Sequence, residues 1–187
     1  VQQVMTEGKL VPKAIVSVDL FGLPANYVEI EAIAEKYNLK LIEDAAQGFG
    51  GSLNGKMAGA FGDIATTSFF PAKPLGCYGD GGALFTNNDE YAELLKSYCV
   101  HGKGKDKYDN VRIGMNSRLD TIQAAILLEK LAAFPQELTN RNKAAEKYTV
   151  ELEDTYKTPI VPKGYVSSWA QYTVTATDRD AEMVKYQ

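Results

Sequence analysis

The sequence predicts an α/β fold on a mostly parallel sheet, and three features predict it. The run Ala14-Ile-Val-Ser-Val-Asp19 is β-branched and largely apolar, which reads as a strand buried on both faces, as in parallel sheets. A helical period follows it, and then a second short strand, Lys40-Leu-Ile42. That strand runs into the acidic pair Glu43-Asp44. Strand, helix, strand and an acidic residue at the carboxyl end is the layout of a doubly wound sheet, whose ligands bind outside those ends.

Taken in order, residues Val1 to Glu7 read as the tail of a helix that Gly8 closes. Phe21-Gly-Leu-Pro24 is a turn, and Asn26 is placed to cap the next helix. That helix is expected to reach about Tyr37, with Val28, Ile30, Ile33, Ala34 and Tyr37 on its apolar face; Asn38 ends it. Between Gly48 and Gly62 six glycines predict an irregular loop. Strands follow at Ile64–Ser68 and Ala83–Thr86, and Asn88 caps a helix to about Val100. The polar, basic stretch His101 to Arg112 is a loop. Helices are expected over Asp120 to Phe134 and, after Pro135, to about Asp154. Pro159 and Pro162 mark a linker, and the alternation in Trp169–Thr177 predicts a strand opening a smaller α+β unit. Asp180 to Gln187 reads as a helix that has only begun, so a fragment of a longer chain is expected. The expected division is 1–134 for a large domain, then 135–187 for a connecting helix and the start of a small one.

Composition narrows the function classes. Of 187 residues, 45% are hydrophobic and 24% charged, as in ordinary soluble globular proteins. The net charge of −4 gives no electrostatic reason to expect a nucleic-acid or anionic-membrane partner. No apolar run approaches the ~20 residues that span a bilayer, and the first residues lack an apolar h-region, so no signal peptide is expected. Cys77 and Cys99 have no metal-ligand spacing, so free thiols in a reducing cytoplasm and no metal are expected.

The chemistry concentrates around Lys73, in the turn Pro71-Ala-Lys-Pro74 between two predicted strands. Pro74 disfavours the helical region for Lys73, and Pro71 fixes its own φ, so the lysine projects from a stiff loop. Gly79-Asp-Gly-Gly82 then allows a close backbone approach. Asp44, Ser68 and Lys73 all stand at or just beyond strand ends, on what a parallel sheet makes one edge. A carboxylate, a hydroxyl and a loop-borne lysine suit pyridoxal phosphate, which needs a lysine anchor, an acid beside its pyridinium nitrogen and donors for its phosphate. A generic nucleotide module with Lys73 on a phosphate is equally compatible with the pattern. Neither GxGxxG after the first strand nor GxxxxGK[ST] is present, which counts against its two usual fingerprints.

The stretches EDAAQ (43–47), SFFPAKPLGCYGDGGALFTN (68–87), VHG (100–102) and NSRLDTIQAA (116–125) resemble the DegT/DnrJ/EryC1/StrS family of sugar aminotransferases. The resemblance runs from about Thr6 to Tyr172. It implies the aspartate-aminotransferase fold (pyridoxal-phosphate fold type I), pyridoxal 5′-phosphate as cofactor, and a nucleotide-linked keto sugar as substrate. Within the family, SFFPAKPLGCYGDGGA is most similar to the branch that aminates a UDP-linked 3-keto-2-acetamido-glucuronic acid for O-antigen or related lipopolysaccharide synthesis.

Carried over by motif, the resemblance makes Lys73 the Schiff-base lysine and proton carrier, and Asp44 the partner of the pyridinium nitrogen. It gives Gln47 the ring hydroxyl and Ser68 the phosphate. Asn116 would reach the phosphate of the neighbouring subunit's cofactor, and Arg118 the sugar nucleotide across a homodimer with shared active sites. It further implies L-glutamate as amino donor and a cytoplasmic enzyme. A dehydratase branch holds histidine at the lysine position, so lysine at 73 implies transamination. Complete members are roughly twice as long.

Each position has an ordinary structural alternative. Asp44 could cap the turn beginning at Ala45, Ser68 could be a satisfied core hydroxyl, and Gln47 could be purely structural. Asn116 and Arg118 could serve the helix starting at Asp120, and His101 reads as loop structure rather than a base. A non-catalytic cofactor- or nucleotide-sugar-binding module, or an inactive fragment, is the alternative to an enzyme.

Overall fold

The computed structural model describes residues 1–106 and 108–185. In chain order, α1 (Gln2–Glu7) precedes β1 (Ala14–Val18), and a single 3-10 turn (Leu20–Gly22) leads to α2 (Tyr27–Lys36) and β2 (Lys40–Asp44). Two very short strands, β3 (Ser52–Leu53) and β4 (Lys56–Met57), come before β5 (Ile64–Ser68) and β6 (Gly82–Phe85). Then follow α3 (Asp89–Cys99), the long α4 (Thr121–Leu152), β7 (Tyr165–Val166) and α5 (Arg179–Lys185). No helix among the described residues is long and apolar enough to cross a membrane.

The main sheet has the order β1-β2-β5-β6, with β1–β2 and β2–β5 parallel and β5–β6 antiparallel. Its register pairs Val18 with Asp44 and Asp44 with Thr66. Laterally paired residues share a face, so Val18, Asp44, Thr66 and, two residues on, Ser68 point to one side. Ser17, Glu43 and Ala65 point to the other, where α2 packs. The core on that side is Tyr27, Ala34, Leu39, Leu41, Leu53 and Phe61, with the Tyr27 and Phe61 rings stacked at 4.1 Å. A second core joins Leu75 and Cys77 to Leu127 and Phe134 of α4, with Phe49, Phe69 and Leu138 against it.

Several expectations are corrected. β1 is buried on one face only: Val16 is 63% and Val18 46% exposed, while Ser17 is buried. β1 is an edge strand with α2 over one side, and a β-branched run reports strand propensity rather than two-sided burial. In α2 the buried stripe is Tyr27, Ile30, Ala34 and Tyr37, while Val28 and Ile33 are exposed. Tyr27 sets this stripe, because its hydroxyl donates to Asp19 Oδ1 at 2.7 Å. Asn26 stands at the N-cap of α2 without a side-chain capping bond, unlike Asn88, whose Oδ1 accepts from Tyr91 N at 3.0 Å.

The glycine-rich stretch contains the β3–β4 hairpin, which pairs with β7 in a second, three-stranded sheet. The break expected at Pro135 is absent, since α4 runs through it. Phe134 and Leu138 dock into one cluster on either side of the exposed proline, so tertiary packing outweighs the lost hydrogen bond. Trp169–Thr177 forms no strand, and its only pairing among the described residues is an isolated bridge between Lys157 and Thr175. Trp169 has φ 50°, its indole donates to Asn142 Oδ1 at 3.0 Å, and it stacks on Tyr172. The alternation thus records an arm laid on α4, without a neighbouring strand along its length.

Candidate active site

Asp44 ends β2 on the sheet face away from α2. Its Oδ1 accepts from Ala46 N at 3.0 Å, starting the turn that leads to Gln47. One oxygen therefore does the capping work that the sequence allowed. The other takes no hydrogen bond among the described residues. Gln47 is held twice: its Oε1 accepts from Phe21 N at 2.6 Å, and its carbonyl accepts from Ser168 Oγ at 2.6 Å. Its side-chain NH2 remains available to donate.

Ser68 closes β5 on the same face as Asp44, and its Oγ accepts from Phe70 N at 3.2 Å while keeping its own proton to donate. The chain then turns at Phe70-Pro-Ala-Lys73, closed by Lys73 N donating to Phe70 O at 2.9 Å. Proline at the second position is what such a turn favours.

The base of this loop is stapled. Phe69 N donates to Gly81 O at 2.7 Å, and Cys77 N to Phe69 O at 2.8 Å. Cys77 Sγ lies 3.0 Å from both Phe69 O and Gly79 O. Residues Pro74 to Cys77 are buried, with Leu75 and Cys77 in the α4 cluster. Gly76 permits the doubling-back: a Cβ there would lie 2.6 Å from Pro71 O and 2.7 Å from Phe70 O. On this braced turn Lys73 is half-buried, and its amine makes no hydrogen bond or ion pair among the described residues.

Asn116 and Arg118 stand apart from that group. Asn116 bridges to Val100 and accepts from Arg118 Nε at 3.1 Å; both residues are exposed. Arg118 lines a cleft of about 800 Å³ walled by α3, Ser117–Leu119 and the β5–β6 pair. Thr66, Thr67, Ala83 and Leu84, from both faces of the β5–β6 pair, also line it, whereas Asp44 and Ser68 do not. Among the described residues, no hydrogen bond or ion pair joins Asn116 or Arg118 to Asp44, Gln47, Ser68 or Lys73. His101 is exposed on the loop after α3.

Two residues escaped the sequence reading. Asp19 and Glu43 are both fully buried on the α2 side of the sheet, and burial pushes both carboxyls up, Glu43 to about 7. The available signal was their inward phase: Asp19 follows buried Ser17 by two, and Glu43 follows buried Leu41 by two.

Comparison with known proteins identifies relatives of this chain. A model of the DegT/DnrJ/EryC1/StrS aminotransferase family matches residues 1–186. The chain is 48% identical over 170 residues to a Pseudomonas aeruginosa protein named UDP-2-acetamido-2-deoxy-3-oxo-D-glucuronate aminotransferase, covering 90% of this chain and 47% of that one. A crystal structure of a DegT DnrJ EryC1 StrS aminotransferase from Brucella abortus superposes with a TM-score of 0.94 at 56% identity, covering 96% of this chain and 48% of that one. A Bacillus subtilis structure with bound cofactor PMP superposes with a TM-score of 0.81 at 31% identity, covering 95% of this chain and 42% of that one. The chain spans about half the length of the curated relatives it matches.

Proposed function

The chain belongs to the DegT/DnrJ/EryC1/StrS aminotransferase family, and from that premise we propose amino transfer from an amino acid, L-glutamate, to a nucleotide-linked keto sugar. The sugar is a UDP-linked 3-keto-2-acetamido sugar acid used in surface polysaccharide synthesis, on the strength of the 48% identity to the Pseudomonas aeruginosa protein. The enzyme works in the cytoplasm as a homodimer with shared active sites. Residues 1–134 belong to its cofactor domain and 135–187 to a connecting helix and the start of a smaller one.

The observation that carries the reading is Lys73, an amine without a partner among the described residues, on a turn braced from behind that follows Ser68, which shares the face of Asp44. The donor set fits pyridoxal 5′-phosphate: a free amine, a carboxylate oxygen without a hydrogen bond, an amide NH2 and a hydroxyl proton still to donate. When bound, the cofactor supplies an electrophilic carbonyl and an electron sink.

Lys73 would hold it through Nζ and, as a free amine, would take the proton from the donor's amine-bearing carbon. Asp44 would face the ring nitrogen with the carboxylate oxygen that takes no hydrogen bond among the described residues. Gln47 would donate to the ring hydroxyl and Ser68 to the phosphate. Asn116 and Arg118, exposed and paired, serve the neighbouring copy's phosphate and sugar nucleotide. The test is the full-length protein with L-glutamate and the UDP-linked 3-keto-2-acetamido-glucuronic acid. Formation of 2-oxoglutarate together with the amino sugar supports the reading, and neither product forming in cofactor-loaded protein refutes it.

A further inference from the structure

Behind the candidate site, on the opposite face of the sheet, two carboxyls are packed together out of water. Asp19 follows β1, and Glu43 lies beside Asp44 in β2; both are 0% exposed. They lie within hydrogen-bonding reach of one another. Among the described residues no ion pair reaches either of them. Two ionised carboxylates in such a place repel and lose hydration together, so one of them must carry a proton.

The hydrogen bonds say which. Glu43 accepts backbone N–H bonds on both oxygens, from Gly59 on Oε1 and Phe61 on Oε2, each at 2.7 Å. That is the bonding of an ionised acid. Asp19 Oδ1 accepts from Ala25 N at 3.0 Å and from Tyr27 OH at 2.7 Å, and the Tyr27 oxygen in turn accepts from Ser17 Oγ at 3.2 Å. Asp19 Oδ2 accepts from nothing, the only buried side-chain polar atom without a partner among the described residues. A proton on Oδ2, donated to Glu43, satisfies every group at once.

The pair is also well placed to act on the site. Asp19 N donates to Asp44 O at 3.0 Å, and the Asp19 side chain lies directly against Gly48, where a Cβ would come within 2.4 Å of the Asp19 Cβ. Gly48 follows Gln47 in the turn that Asp44 begins. Glu43 meanwhile ties β2 to the 59–61 turn.

We propose that Asp19 and Glu43 share one proton, carried on Asp19 Oδ2, and that this carboxyl–carboxylate pair positions the 44–48 turn and with it Asp44 and Gln47. The proposal rests on the cofactor reading for its consequence, although the proton itself does not. The groups facing the pair are Tyr27 from α2, Ser17 from β1 and the like-charged Asp44 from β2. Tyr27 OH and Ala25 N donate to Asp19 and favour its charge, but burial, the largest effect, and the like-charged Asp44 oppose a second negative charge. A carboxyl raised above its unfolded value gives stability that is full at low pH and is lost as pH rises to the folded value. The shared proton titrates as a property of the pair, so the window runs from the ordinary carboxylate value of 4.5 up to about 7, the value to which burial raises Glu43.

The experiment compares wild type, Asp19→Asn, Asp19→Ala and Glu43→Gln in the full-length protein. Thermal midpoints without added cofactor are followed across that window and above it. The wild-type midpoint should fall as pH rises through the window. Asp19→Asn, whose amide donates permanently to Glu43, should flatten that fall. Glu43→Gln should be less stable than Asp19→Asn throughout, because an amide cannot accept both backbone N–H groups. An unchanged slope in Asp19→Asn, or Glu43→Gln matching it in stability, overturns the shared proton. Positioning is read by pyridoxal-phosphate titration: Asp19→Ala should bind about tenfold more weakly, with Asp19→Asn restoring affinity. Wild-type affinity in Asp19→Ala overturns the positioning role. Absence of binding in wild type refutes the cofactor reading instead, and leaves the slope comparison to judge the proton.

Discussion

Replacing Gly76 by alanine puts a methyl group behind the turn that carries Lys73 and leaves every proposed site residue in place. The new Cβ would lie 2.6 Å from Pro71 O and 2.7 Å from Phe70 O, so the nearer contact must open by 0.4 Å even to reach 3.0 Å. Both obstructions are backbone atoms and cannot rotate away. Phe70 O is also the acceptor of the Lys73 N–H bond, so displacing it moves the lysine. On the other side, Leu75 and Cys77 are fixed in the α4 cluster, which directs the movement into the turn. Overpacking of this kind costs about 1–3 kcal/mol. A misplacement of 1 Å can cost about 10²-fold in rate, so roughly half an ångström at Lys73 predicts about a tenfold fall in turnover. The assay is cofactor content by absorbance and steady-state kinetics on the full-length protein, with Gly55→Ala as control. Gly55 has φ 81° but nothing within 4 Å of a Cβ, so its variant brings backbone strain without a clash against the Lys73 turn. Wild-type cofactor content and turnover in Gly76→Ala would refute the claim that this turn positions the lysine.

Two further outcomes follow from the packing. Phe134→Ala should cost about 3–5 kcal/mol in denaturant unfolding, since the ring is 5% exposed in the cluster that also seats Leu75 and Cys77. Weaker cofactor retention should accompany that loss. Ser168→Ala removes the hydroxyl that donates to Gln47 O at 2.6 Å from a fully buried position, and should cost about 1–3 kcal/mol by the same measurement.

Much of the frame could be read from the chain alone, for local reasons. Ile64–Ser68 is bounded by glycine and proline-rich turns, and β5 has those limits. Asn88 is a side-chain cap in the structure because residues 89–99 carry their own helical signal behind it. The stiffness of the Lys73 turn is likewise written in Pro71 and Pro74. What was not legible depends on contacts distant in sequence. The β3 and β4 strands are two residues each, too short to show a period, and exist through pairing with β7 more than a hundred residues away. Pro135 breaks helices by local rules, and only the shared docking of Phe134 and Leu138 keeps α4 whole. Asp19 and Glu43 meet through the parallel pairing of β1 and β2, whose register no local pattern states. Of the candidate site, the sequence carried the positions, whereas the bracing of Lys73 by Gly76, Cys77 and α4 emerged from the packing.

The claim on which the account rests is that Lys73 anchors the cofactor. Incubating the full-length protein with pyridoxal 5′-phosphate, reducing with borohydride and mapping the labelled peptide tests it directly. The account predicts label on Lys73 and none in Lys73→Ala. Label on another lysine, or undiminished labelling of Lys73→Ala, would contradict it.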